Sequence, residues 1–127
     1  MAIAAGGLVD VADFADTDWI PVVLASGITS FVGYTMSYRL KAGIVYLRGR
    51  VTGITAGVNV QITNDIGGAL PAGFRPGIPT EDLGLIANGG DPNTEYGRIW
   101  INDTGHISVR IVSGTAAFIS CYFVADA

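Results

Sequence analysis

The sequence predicts an all-β fold: an antiparallel β-sandwich or barrel, jelly-roll-like, with about eight strands. Short apolar runs recur along the 127 residues, and turns rich in glycine or proline separate them. After residue 18, no stretch shows the apolar spacing of an amphipathic helix. Closely spaced short strands with such turns are typical of sandwiches and barrels.

The first half of the domain supplies four predicted strands. Trp19–Leu24 has Pro21 near its start, which favours an edge position because proline donates no ladder hydrogen bond. Phe31–Lys41 alternates in character, and a Lys-Ala-Gly turn joins it to Ile44–Val51 as a hairpin. Val58–Thr63 is a short fourth strand. The predicted core faces of the second and third strands carry Tyr34, Met36, Tyr38 and Leu40, and Val45, Leu47, Gly49 and Val51.

The segment Leu70–Pro76, Leu-Pro-Ala-Gly-Phe-Arg-Pro, is predicted to be a rigid corner between the two halves. Its two prolines fix φ and remove two backbone donors, so neither a helix nor a central strand can pass through it. Gly73 permits a bend that residues with a Cβ resist. We expect Leu70 and Phe74 to anchor the corner in the core, and Arg75 to be the residue there that can reach a partner.

The second half begins with a loop, predicted for Gly77–Asp82, and continues with four strands. Leu83–Ala87 is the first of these. Gly97–Asn102 and His106–Val112 form a hairpin around an Asp-Thr-Gly turn, which is a strong turn signal. Ala117–Val124 is the last strand. The predicted core face of the hairpin consists of Ile99, Ile101, Ile107, Val109 and Ile111.

The composition predicts that the domain buries apolar surface between subunits. Hydrophobic residues make up 50% of the chain and charged residues 14%, against a usual charged share of about 25%. No apolar run approaches the ~20 residues of a membrane-spanning helix, so membrane insertion is not expected. A closed homo-oligomer is the usual way to cover such a surface. The net charge of −4, without a basic block, argues against nucleic acid as a partner.

Catalytic chemistry has few candidates in this sequence. A single histidine and a single cysteine exclude a Cys/His zinc site, and no metal or cofactor is predicted. Cys121 is expected to be a buried small hydrophobe. Asp91 with Glu95, and Glu81 with Asp82, are carboxylate pairs of the kind that a glycosidase uses. Solvated loop carboxylates are the commoner occurrence and the interpretation that we favour.

Residues 1–18 are predicted to form an N-terminal linker or attachment segment that precedes one domain at residues 19–127. A calcium site is one interpretation of its aspartates, but the segment lacks the glycine and closing glutamate of an EF-hand loop. A solvated acidic linker is the alternative that we favour. Without a basic n-region, the segment is not expected to be a signal peptide. The aspartates are Asp10, Asp13, Asp16 and Asp18.

The stretch from Asp91 to Asn102 is the best candidate for a binding site. Saccharide sites combine an aromatic face with side chains that bond hydroxyl groups. If Ile99 and Ile101 point inward, the alternate residues of this strand point outward, and a tryptophan there indicates a subunit interface or a ligand contact. The candidate ligand-binding residues are Asp91, Asn93, Glu95, Tyr96, Arg98, Trp100 and Asn102.

Four motifs follow one another in a characteristic order. They are Tyr-Arg-x-Lys-x-Gly-x-Val at residues 38–45, Arg-Gly-x-Val at 48–51, the corner Leu-Pro-x-Gly-Phe-Arg-Pro at 70–76, and Gly-x-Ile-x-Ile followed by Asp-x-Gly-x-Ile at 97–107. Over residues 19–124 the chain thereby resembles the C-terminal head domains of bacteriophage tail-fibre, baseplate and receptor-binding proteins. The corner is the most specific part of this resemblance.

The resemblance implies a compact β head at residues 19–127 that assembles as a homotrimer and recognises a saccharide of the bacterial cell surface without catalysis. Its other partners would be phage tail proteins. Its location would be the virion tail, after synthesis in the host cytoplasm and release by lysis. Two alternatives remain open: a purely structural tail or capsid-decoration protein, and a carbohydrate-active enzyme that uses Asp91 and Glu95.

Overall fold

The structure of the chain is a computed structural model, and it describes residues 3–4, 8–9, 16–88 and 96–125. The described residues contain no helix, so none of them builds a helix long and apolar enough to cross a membrane. The predicted antiparallel all-β fold is confirmed. The described strands are β1 (Ile3–Ala4), β2 (Leu8–Val9), β3 (Ile20–Pro21), β4 (Thr29–Ser30), β5 (Ser37–Lys41), β6 (Ile44–Thr52), β7 (Val60–Gln61), β8 (Thr80–Asn88), β9 (Tyr96–Asn102), β10 (Ile107–Arg110) and β11 (Ala117–Val124).

Nine of the described strands form one sheet that curls into a half-barrel. Their order is β3-β5-β6-β11-β8-β9-β10-β7, and β4 pairs with β6 beside this path. All of these pairs are antiparallel. The strand that contains Pro21 stands at the end of the order, so the predicted edge position is confirmed.

The core lies against the inner face of this sheet, and strand β6 shows how alternation builds it. Val45, Leu47 and Val51 are buried on that face. Gly49 takes the remaining inner position, because a Cβ there would lie 2.5 Å from the Cα of Met36. The space that a side chain would fill is therefore occupied by the neighbouring backbone.

The β9–β10 hairpin provides the second wall of the core. Ile101 stands opposite Ile107, and Ile99 stands opposite Val109. All four side chains are fully buried, and Ile111 just beyond β10 is also buried, so the predicted core face is confirmed. Such cross-strand apolar pairs stabilise a sheet through direct side-chain contact.

The prediction for Phe31–Lys41 is wrong in its first half. Strand β5 begins only at Ser37, and the Tyr34 N–H donates to the Phe31 carbonyl at 2.9 Å in a tight turn. Both of these residues also bond the backbone of Arg50 on β6. Tyr34 is consequently 57% exposed and does not share the core face. Pairing with a distant strand has overridden the local alternation.

The corner at residues 70–76 is confirmed as an ordered turn. The Phe74 N–H donates to the Pro71 carbonyl at 3.0 Å, and Gly73 has a φ of 90° at the position where a type II turn requires a positive value. Leu70 is buried, and the Phe74 ring meets the Tyr38 ring edge-on at 5.3 Å. Both predicted anchors therefore reach the core.

The Arg75 side chain bonds back to the first residue of this corner. Its Nε donates to the Leu70 carbonyl at 2.6 Å. The Leu70 N–H in turn donates to the Gly105 carbonyl at 2.9 Å, which ties the corner to the β9–β10 turn. The side chain that was expected to be available for a partner thus has an internal role.

Candidate ligand-binding site

The seven candidate site residues divide into two groups. Asp91, Asn93 and Glu95 lie outside the residues that the structure describes. The other four lie on β9 and alternate with buried isoleucines, so they occupy the outer face of the sheet. These four are Tyr96, Arg98, Trp100 and Asn102.

Strand register places polar residues from three other strands beside Trp100. Asp82 on β8 and Ser108 on β10 are its direct Cα partners, and Gln61 on β7 is the partner of Ser108. Direct partners in antiparallel strands share one face. The result is a row of outward-facing residues that crosses four strands, with the half-buried Trp100 ring in the middle.

A cleft of about 590 Å³ lies along this row. Its volume is within the range of small-molecule sites, about 300–1,000 Å³. It offers an aromatic ring together with amide, hydroxyl, carboxylate and guanidinium groups. The residues that line it are Asn59, Thr80, Asp82, Arg98, Trp100 and Arg110.

The charged groups of this cleft are held in place by hydrogen bonds. Arg98 Nη2 donates to Asp82 Oδ2 as an ion pair, and the Gly84 N–H donates to Asp82 Oδ1 at 3.0 Å. The Gly84 backbone hydrogen bond, and next the Arg98 side chain, lower the pKa of Asp82 below its usual range. Arg110 Nη1 donates to Asn59 Oδ1 at 3.4 Å. Asp82 is therefore an ionised acceptor near neutral pH.

Asn102 differs from its neighbours because its side chain belongs to the β9–β10 turn. Its Oδ1 accepts hydrogen bonds from Thr104 Oγ1 at 2.6 Å and from the His106 N–H at 2.9 Å. Tyr96, at the other end of β9, is exposed. Of the four described candidates, Arg98 and Trp100 are the two that line the cleft.

Four cleft residues were not among the predicted ligand-binding residues: Asn59, Thr80, Asp82 and Arg110. Thr80 and Asp82 were placed in a loop, whereas β8 already begins at Thr80. A bulge between Asp82 and Gly84 shifts the register of β8 against β9. The outward position of Arg110 could have been read from the alternation with Val109, but no local signal shows which strands are neighbours.

The catalytic candidates within the described residues do not form a reactive group. Glu81 and Asp82 are successive residues of a strand, so their side chains point to opposite faces, and Asp82 is held by Arg98. His106 Nδ1 lies 2.8 Å from Thr63 Oγ1. Burial raises the pKa of the Cys121 thiol to about 12, so it carries no thiolate at neutral pH. No cluster of potential metal ligands occurs among the described residues.

The fold of this chain resembles that of a solved phage head domain. The chain matches no protein-family model and no curated protein sequence. It is similar to the crystal structure of the head domain of phage bIL170, described as a receptor-binding domain of lactococcal phages. The TM-score is 0.62 at 19% sequence identity, and the match covers 86% of this chain and 98% of that one. The fold that the motifs implied is thereby confirmed.

Proposed function

We propose that this protein is a host-adhesion domain of a bacteriophage tail, and that it binds a bacterial surface saccharide in the Trp100 cleft. The observation that carries the proposal is the half-buried Trp100 ring, flanked across the strands by a fixed carboxylate and by guanidinium groups. The similarity in fold to a phage receptor-binding head domain supports the same role. In this role the domain is a component of the virion tail.

The chemistry of the cleft suits a neutral polyol. Sugar C–H groups stack on an aromatic face, and hydroxyl groups need both donors and acceptors. Asp82 accepts, Arg98 and Arg110 donate, and Thr80 can do either. Arg98 is already paired with Asp82, and Arg110 is exposed and bonded to Asn59, so the cleft does not demand a charged ligand. Asp91, Asn93, Glu95 and Tyr96 precede the cleft along the chain and belong to the proposed binding region.

Assembly as a homotrimer is the second part of the proposal. Leu85 and Tyr122 line one cleft and are 67% and 66% exposed, and Val124, two residues further along β11, is 69% exposed. Exposed apolar side chains of this size can mark a subunit interface. Leu85 and Tyr122 border the gap where β8 and β11 separate after their pairing at residues 87 and 118. A neighbouring subunit would cover this gap. Light scattering at micromolar concentration tests the assembly, and a monomeric mass contradicts it.

Binding to isolated host cell walls and to a glycan array tests the saccharide site. Trp100→Ala is expected to reduce binding at least about tenfold, because it removes the stacking surface. Ile66→Ala, which changes an exposed apolar residue outside the cleft, is the matched control and is expected to bind as the unchanged protein does. Binding that survives both Trp100→Ala and Tyr96→Ala would contradict the site.

The proposed role is binding without catalysis, and the same material tests this. No reducing sugar is expected to be released from host cell walls. Release that is lost in Glu95→Gln would replace the proposal with a glycosidase. Failure of the domain to bind any host surface would instead favour a structural role in the tail.

A further inference from the structure

A second group of aromatic and basic side chains lies on the outer face of β5, β6 and β11, away from the Trp100 cleft. Register places Arg48 between Ser37 and Ser120, and Arg50 beside Phe118. We name this group the arginine–aromatic cluster. It consists of Trp19, Phe31, Arg39, Arg48, Arg50 and Phe118.

Each guanidinium of the cluster stacks on a ring. The Arg48 guanidinium carbon lies 3.8 Å from the centroid of the Trp19 ring, and that of Arg39 lies 5.5 Å from the same centroid. The Arg50 guanidinium is 4.0 Å from the Phe31 ring and 4.2 Å from the Phe118 ring. Stacking fixes the plane of a guanidinium and leaves its N–H edge free to bind.

No arginine of this cluster forms an ion pair within the described residues. From Trp19 to Asn64 the sequence contains no aspartate or glutamate, although four of the seven basic residues of the chain lie there: Arg39, Lys41, Arg48 and Arg50. Within the described residues, the one ion pair joins Arg98 and Asp82 in the Trp100 cleft.

The hydrogen bonding of the cluster is incomplete at two nitrogen atoms. The Nε atoms of Arg39 and Arg50 are buried and have no hydrogen-bond partner. Buried polar atoms are almost always satisfied, and an exception requires an explanation. Arg39 and Arg48 also direct like charges at one ring. An anion beside these groups would remove the repulsion between them.

A cleft for such an anion lies next to Arg48. It has a volume of about 720 Å³, and its polar groups include the exposed side chains of Tyr34, Thr35 and Ser120. None of its described lining residues is a carboxylate. Hydroxyl donors beside a guanidinium edge are the groups that bind phosphate or carboxylate oxygens.

We propose that the arginine–aromatic cluster is an oxyanion site, in which Arg48 binds a phosphate or carboxylate group with its exposed guanidinium edge. Its use as a second contact with the host surface rests on the proposed adhesion function. Anion binding itself does not, because the two clefts share none of their lining residues.

The two tryptophans of the chain allow both sites to be followed in one experiment. The ¹H–¹⁵N spectrum of the intact protein contains two indole resonances, which Trp19→Phe and Trp100→Phe assign. Inorganic phosphate, acetate and glucose are titrated separately at constant ionic strength. Phosphate is expected to shift the Trp19 resonance saturably and to leave that of Trp100 in place. The relative affinities of phosphate and acetate then identify the preferred oxyanion.

Substitutions of Arg48 test whether this residue binds the anion. Arg48→Gln is expected to weaken phosphate binding about tenfold, since it removes a charge-assisted bidentate contact, while Arg48→Lys retains part of the affinity. Trp100→Ala is expected to keep the phosphate response even if it abolishes saccharide binding, so the two proposals fail separately. An equal shift with sodium chloride, or full affinity in Arg48→Gln, overturns the oxyanion site. Dissociation of the assembly by Arg48→Gln would overturn it in favour of a subunit contact.

Discussion

The two tryptophans of this domain stand on the outer face of one sheet in opposite electrostatic surroundings. Beside Trp100, the Arg98 guanidinium is neutralised by Asp82, and a backbone N–H fixes the carboxylate. Beside Trp19, Arg39 and Arg48 stack on the ring, and neither forms an ion pair with a carboxylate of the described residues. The same kinds of residue thus build one site in which the arginine nearest the ring is ion-paired and another in which the arginines at the ring have no ion pair among the described residues.

The class of ligand that each site binds therefore depends less on whether an arginine is present than on whether that arginine already has an ion-pair partner. A guanidinium that is already paired can donate to a neutral hydroxyl at little electrostatic cost. An unpaired guanidinium in a partly buried setting favours an anion, because its charge is incompletely solvated. Exchange of carboxylates between the two sites should therefore exchange their preferences.

The largest expected effect is on the core that both faces share. Ile101 lies next to Trp100 on β9, and Leu47 lies next to Arg48 on β6, and both are buried in one core cluster. Ile101→Ala and Leu47→Ala are each expected to lower the free energy of unfolding by about 2–5 kcal/mol. Denaturant unfolding followed by both indole resonances measures this. Loss of one resonance before the other would show that the two faces are independent units.

A carboxylate introduced at position 120 should weaken anion binding at the oxyanion site. Ser120 is exposed and is the direct Cα partner of Arg48, so the carboxylate of Ser120→Asp can pair with that guanidinium. Phosphate affinity at Trp19 is expected to fall by at least about tenfold. Ser120→Asn is the neutral control of the same shape, and it is expected to retain most of the affinity because its amide N–H can donate in place of the Ser120 hydroxyl. Equal losses in both variants would mean that shape, not charge, controls the site.

Removal of the Asp82 carboxylate should have the reverse effect: the affinity of the Trp100 cleft for phosphate should rise several-fold. Asp82→Asn retains an oxygen that can accept the Gly84 N–H but leaves Arg98 without its ion pair. Phosphate is then expected to shift the Trp100 resonance, which it is not expected to do in the unchanged protein, and saccharide affinity is expected to fall. A Trp100 resonance that stays insensitive to phosphate in this variant would refute the importance of the pairing.

The smallest effect is expected from mild acidification. Because the pKa of Asp82 is lowered, the carboxylate stays ionised from pH 8 to pH 5. Its contribution to stability is present above the pKa of an unfolded aspartate, about 3.9, and is lost as the pH falls through the lower folded value. Saccharide affinity should therefore be constant from pH 8 to 5 in a calorimetric titration. A decline in saccharide affinity within that interval would mean that a group other than Asp82 controls the binding.

The local sequence pattern was sufficient to predict the elements whose neighbours lie close in the sequence. The β9–β10 hairpin follows from an Asp-Thr-Gly turn between two alternating runs, and its inner and outer faces lie as predicted. The corner at residues 70–76 follows from the fixed φ of proline and from Gly73. In each case a short-range steric rule acts alone.

Local pattern failed where a distant strand decides the conformation. Residues 31–34 alternate like a strand, yet backbone bonds to Arg50 on β6 hold them in a turn. Asp82 follows two prolines and looks like part of a loop, yet it pairs with Trp100 across β8 and β9. Periodicity gives the face of a strand on which a side chain lies, but it carries no information about which strand lies alongside.

By itself, therefore, the sequence determined the all-β class, the rigid corner, the outward direction of Arg98 and Trp100, and the acid-free stretch from Trp19 to Asn64. Only the tertiary structure decided that Asp82 neutralises Arg98 while Arg39 and Arg48 converge unpaired on Trp19. The physical reason is that charge pairing depends on distances across strands. Those distances are set by sheet order and register, which segments far apart in the chain fix together.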